Sequence, residues 1–137
     1  MVLRTSRRRH GDRAEHLGGE HLIGRGWTLL ARNVRVGRDE IDLLAIDPGP
    51  PQTLVAVEVR SASSRRFGPP EGRVDGAKAR RCYRAAFGLR RIGVLPDGTP
   101  LPRLPWRVDL LAVDLDPSLG RGLGGPAFRH LRAIEPA

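Results

Sequence analysis

Cysteine, lysine and aromatic residues are scarce in this chain, and each scarcity removes a class of explanation. The single cysteine, Cys82, cannot close an internal disulfide, and its neighbours Arg80, Arg81 and Arg84 include no histidine to activate it, so a disulfide scaffold is excluded and a reducing compartment is expected. The four histidines show no zinc-ligand spacing with that lone thiol. Aromatic residues make up 4% of the chain, too few for a binder that stacks successive bases. No stretch approaches the roughly 18 apolar residues of a membrane span, and the Arg-rich start Met1–Arg9 lacks the apolar core of a secretory signal. The expectation is a cytoplasmic protein with no membrane partner. At 137 residues, one domain over 1–137 is expected, with 1–10 a flexible basic arm.

Positive charge is plentiful. The formal net charge is +9, and of 24 basic residues all but Lys78 are arginine. The charge is concentrated: between residues 60 and 91, ten basic residues face only Glu71 and Asp75. A generally arginine-rich composition spreads charge along the chain, whereas a cluster points to a polyanion held by counterion release. Nucleic acid is the first partner to consider.

Periodicity places the elements. Apolar positions Ala14, Leu17, Leu22 and Ile23 keep a helical spacing over 12–24, although Gly18 and Gly19 each cost a helix about 1 kcal/mol. Residues 27–34 and 39–46 read as a strand hairpin turning at Gly37, and 54–60 is apolar on both faces, as a central strand is. Residues 61–73 read as a loop, 75–91 as a helix capped by Asp75, 106–115 as a further strand and 128–134 as an edge strand. The order predicts an α/β sandwich, a mixed sheet flanked by helices.

Two carboxylates interrupt apolar strands: Asp42 between Ile41 and Leu43, and Glu58 between Val57 and Val59. Burying a carboxylate without a partner costs several kcal/mol, so each requires an ion pair, a cation or a cleft. Arg60 shares a strand face with Glu58. Two readings stay open from these residues: an ion pair at a sheet end, or carboxylates converging on a hard divalent cation, Mg²⁺ or Mn²⁺. The run Gly120-x-Gly122-x-x-Gly125 fits a dinucleotide fingerprint, but Pro126 follows it and too little chain remains for the helix that such a site needs.

The motifs taken in order, Gly11-x-x-x-Glu15, Leu22-x-x-x-Gly26-Trp27, Arg32-Asn33, Glu40-Ile41-Asp42-Leu43, Val57-Glu58-Val59-Arg60, Phe67-Gly68, Lys78 and Arg107-Val108-Asp109, resemble the YraN family. These small bacterial proteins are related to Holliday-junction resolvases and other nucleases of the PD-(D/E)xK type. The resemblance implies a restriction-endonuclease-like three-layer sandwich and a metal-dependent endonuclease acting on DNA, on branched or flapped forms among others. It further implies Asp42, Glu58 and the Val59 carbonyl as metal ligands, with Glu15 contributing directly or through water. Arg60 stands where the wider motif has lysine. It cannot act as a base at neutral pH but can grip phosphate. Lys78 reads as a chance lysine on a basic helix or as a functional one, either a phosphate contact or a substitute for the missing motif lysine. Arg65, Arg66, Arg80, Arg81 and Arg84 are the candidate nucleic-acid contacts. Asn33 reads as a turn or strand-end residue, and Arg107 with Asp109 as a structural ion pair. A catalytically silent nucleic-acid binder of the same fold is the alternative, and an accessory protein that docks an acidic partner is a third reading. Cutting two strands would call for two sites, hence a homodimer by analogy.

Overall fold

The computed structural model of the chain describes residues 6–62, 76–115 and 126–135, with the backbone alone for 6–10. The elements run α1 (Ser6–Gly24), β1 (Thr28–Val36), β2 (Asp39–Asp47), β3 (Thr53–Ala62), α2 (Gly76–Ile92), β4 (Trp106–Asp114) and β5 (Ala127–Leu131). The first helix starts at Ser6, not at Asp12, so the backbone of 6–10, expected as part of a basic arm, is helical. Its opening turns are polar, which is why no apolar period marks them.

The sheet order is β1-β2-β3-β4-β5. Three neighbouring pairs are antiparallel and β3/β4 is parallel, as it must be when a helical crossover, here α2, separates two strands. Gly37 turns the β1/β2 hairpin at φ +60°, a left-handed value that a side chain resists.

Apolar side chains split between the two faces and give the molecule three layers. On one face Ala85, Ala86 and Leu89 of α2 pack with Val34, Leu44, Leu54, Ala56 and Val108. On the other, Ala14 and Leu22 of α1 pack with Leu43, Val55, Val57, Leu111 and Val113. The result is an α/β three-layer sandwich of the restriction-endonuclease-like kind. A leucine buried in either layer stabilises it by about 2 kcal/mol.

The two helical glycines have a packing reason. A Cβ on Gly18 would lie 3.0 Å from a Leu111 methyl, and one on Gly19 would lie 2.6 Å from the Arg32 guanidinium. Through that gap Arg32 Nη1 donates to the Glu15 carbonyl at 3.0 Å and ties α1 to β1. The tie fixes where Glu15 sits over the sheet.

Candidate metal centre at the open end of the sheet

The β2/β3 ladder runs from Asp47↔Thr53 to Leu43↔Val57 and stops. One step further, where Asp42 would face Glu58, the Asp42 side chain takes over the backbone's role: Val59 N–H donates to Asp42 Oδ2 at 2.8 Å. A carboxylate thus closes the last bond of the sheet and is locked in place by it. From the first helix Glu15 reaches the same end, and from the hairpin Glu40, two residues before Asp42, arrives on the same side. One oxygen of each of Glu15, Glu40 and Asp42 lies within 4.8 Å of the others. Three hard oxygen donors at that spacing match what Mg²⁺ or Mn²⁺ takes. Glu15 and Glu40 border a cleft of about 470 Å³, whose walls also include Gly11, Asp12, His16, Arg32 and Asn33.

Asn33 joins the acids. Its side-chain amide, oriented so that nitrogen meets acceptors, donates to Glu15 Oε2 at 2.8 Å and to Glu40 Oε1 at 3.1 Å. Asn33 sits at φ +52°, a conformation asparagine tolerates better than most side chains. The strand-end reading of this residue missed its reach into the site.

Glu58 is placed differently from the expectation. It is 6% exposed, and its Oε1 accepts two cations at once, Arg60 Nη2 at 3.2 Å and Lys78 Nζ at 3.2 Å. Its Oε2 faces the Cys82 thiol at 3.7 Å. Glu58 therefore stands beside the three-carboxylate cluster, compensated from α2, and is not one of the three converging oxygens. Val59 meets the cluster through its N–H, as above. Arg60 Nε is buried and has no hydrogen-bond partner.

The electrostatics record the crowding. Burial, then the charge of Glu58, pushes the Asp42 carboxyl up from 3.8 to about 8. Burial, then Glu40, raises Glu15. Burial and Glu58 push the Cys82 thiol up to about 12, so it is no nucleophile at neutral pH.

Of the expected nucleic-acid contacts, Arg80 and Arg81 are exposed on α2, while Arg84 is held by Asp39 through two bonds of 2.7 and 2.8 Å. Arg84 is thus spoken for, and its pairing anchors α2 to the hairpin. Arg65 and Arg66 lie outside the described residues, as do Asp75, Phe67-Gly68 and the glycine run 120–125. Among the described residues no helix is long and apolar enough to cross a membrane.

A second polar cluster occupies the other end of β2. Asp109, fully buried, accepts from Arg107 Nε at 2.8 Å and Nη2 at 2.9 Å, from Ala133 N–H at 2.9 Å, and meets His130 Nε2 at 2.8 Å. Arg107 Nη2 also reaches Asp47 Oδ2 at 2.8 Å, and Gly49 N–H donates to Asp47 Oδ1 at 2.9 Å. The ion pair expected of Arg107 and Asp109 is present as part of this larger network.

Fold and acid cluster together define an α/β sandwich with a carboxylate-lined cleft at one end of its sheet. Residues 14–113 match the family described as "Uncharacterised protein family UPF0102", and the chain belongs to that family, the YraN-type proteins. It is 40% identical to a UPF0102 protein of Symbiobacterium thermophilum over 80% of this chain and 86% of that one. It is 34% identical to one from an Arthrobacter species over 90% and 93% of the two chains. A relative in Paenarthrobacter aurescens is 31% identical over 98% and 99%.

Proposed function

We propose that the protein is a metal-dependent endonuclease that hydrolyses phosphodiester bonds in DNA. The observation that carries this reading is the convergence of Glu15, Glu40 and Asp42 within 4.8 Å, with Glu58, Arg60 and Lys78 directly alongside. The donor set fits Mg²⁺ or Mn²⁺, because it is all carboxylate oxygen, with Glu15 and Asp42 half-buried and Glu40 exposed. Such an ion, when bound, supplies charge compensation for the scissile phosphate and acidifies water near it.

The chain's own residues do the rest. Glu15, Glu40 and Asp42 hold the cation, and the Asn33 amide keeps Glu15 and Glu40 at their spacing. Glu58 fixes the position of both Arg60 and Lys78. Lys78 is the group on this chain that can hand over or take up a proton where the wider nuclease motif has a lysine. Arg60 contributes the charge of its partly exposed guanidinium, which suits a phosphate oxygen. Exposed Arg80 and Arg81 on α2 would hold flanking phosphates. No covalent intermediate is needed, which agrees with the inert Cys82.

The replacement of the motif lysine by Arg60 keeps a second reading open: a DNA-binding protein that has lost cleavage. One assay separates them. Purified protein is incubated with linear, single-stranded, flapped and four-way-junction DNA in Mg²⁺, Mn²⁺ or EDTA, next to the Asp42→Asn variant. Cutting that needs metal and disappears in the variant supports the nuclease. Salt-sensitive binding without cutting on any substrate supports the silent binder. Sedimentation of the same samples tests for a homodimer.

A further inference from the structure

We propose that the groove between the C-terminal half of α2 and the segment leading into β4 is a docking site for an acidic peptide segment of another protein, with apolar side chains as its anchors. The inference is independent of the nuclease reading.

On α2 the residues Tyr83, Phe87 and Arg90 follow one another at i, i+4, i+7 and form a stripe beside the buried one of Ala79, Ala86 and Leu89. Phe87 is 54% exposed, and Ile92 and Val94, just beyond, are 59% and 39% exposed. Of these Phe87 lines a cavity, and a large apolar side chain exposed beside one is the kind of group that marks an interaction site.

The stripe borders a concave surface. A larger cavity of about 760 Å³ is floored by Leu101, Leu104 and Trp106, with Pro102 and Pro105 in its wall. A smaller lobe of about 160 Å³ lies between Tyr83, Phe87 and Trp106. The two share Arg90 and Trp106 and so lie side by side. The walls are preformed: Leu101 N–H donates to the Gly93 carbonyl at 3.0 Å, Leu95 N–H to Thr99 at 2.8 Å and Leu54 N–H to Pro105 at 2.8 Å. A partner therefore meets little ordering cost on this side.

Charge selects the occupant. No carboxylate lines either cavity, whereas Arg90 and Arg103 rim the larger one, both exposed and neither in an ion pair among the described residues. Arg107, at the edge of the smaller lobe, is already held by Asp109 and Asp47. A second copy of this chain would bring the same cationic rim against itself and is disfavoured. The floor of Leu101, Leu104 and Trp106 and the proline walls reward burial of leucine or phenylalanine. The smaller lobe admits one such side chain and not a nucleotide.

The test is fluorescence anisotropy with a short fluorescein-labelled peptide of aspartates carrying one phenylalanine and one leucine, at physiological ionic strength. Comparison probes replace the apolar residues by glycine, replace the aspartates by lysine, or are single-stranded DNA. Expected is saturable binding of the first peptide alone, with a shift in Trp106 emission. Arg90→Glu and Phe87→Ser, both at exposed positions, should each weaken it about tenfold or more, while Arg35→Glu on the outer strand leaves it unchanged. Thermal melts confirm that the variants fold. The proposal is overturned if the acidic apolar peptide fails to bind, if the glycine probe binds equally well, if the groove variants bind like the parent, or if DNA displaces the peptide in the parent and the groove variants lose DNA binding.

Discussion

The two ends of β2 carry buried or half-buried carboxylates under opposite terms. Asp42 and Asp47 are five residues apart, about 16 Å along the strand. At the Asp47 end every acid is answered: burial would raise Asp109 and Asp47, but His130 and Arg107 on the first, and Arg107 and the Gly49 N–H on the second, hold both below the usual carboxylate value. At the Asp42 end burial and neighbouring carboxylates win, and Asp42 rises to about 8. A fold able to satisfy two acids with Arg107, His130 and backbone N–H groups at one end leaves Glu15, Glu40 and Asp42 crowded at the other. The difference separates a polar network that holds the molecule together from one whose carboxylates are left crowded, which is the contrast the proposed function rests on.

Making the same substitution at both ends breaks the comparison most directly. Asp42→Asn should abolish metal-dependent cleavage while the metal-free protein melts no lower than the parent, as measured by nuclease assay and calorimetry. Asp109→Asn should do the reverse in kind, costing about 3–5 kcal/mol because Arg107 and His130 lose their buried partner. That loss is readable as a drop in melting temperature on the order of 10 °C. Asn33→Ala should weaken Mn²⁺ binding about 10–100-fold in titration calorimetry, since the amide that spaces Glu15 and Glu40 is gone, with little effect on the melt.

The smallest effect is in pH. The raised Asp42 contributes stability that is complete below about 3.8 and lost as pH climbs through about 8. Metal-free Asp42→Asn should therefore gain on the parent as pH rises over that range and level off above it. Asp109 lies below its ordinary value, so its contribution is present above 3.8 and fades as pH falls. The deficit of Asp109→Asn should accordingly shrink in acid. Melting temperatures across pH 3 to 9, in EDTA, would show the two curves moving in opposite directions.

Much of this was legible in the residues. The central strand, the hairpin turning at Gly37 and both helices follow from apolar spacing, because each element buries one clear stripe or face. Asp42 and Glu58 announced themselves as charges in apolar strands. Glu40 and Asn33 did not, since on an exposed hairpin a Glu and an Asn look like solvated surface, and only the chain reversal brings them to Glu15. Nor could spacing tell that Glu58 turns toward Lys78, because that depends on how α2 lies across the sheet. The start of α1 was missed for want of an apolar period, and the groove beside α2 because its walls form only where the stretch from Gly93 to Trp106 folds back beside the helix.

The three converging carboxylates stand on a helix at residue 15 and on a hairpin at 40 and 42, and the bond that locks Asp42 comes from a third segment at Val59. No local stretch of chain can assemble them. Neither an isolated hairpin nor a half-docked helix gathers the set, so under the proposed function cation affinity would rise only once α1, β2 and β3 have all reached their final places. Cation binding at the proposed site would then be a gauge of completed folding.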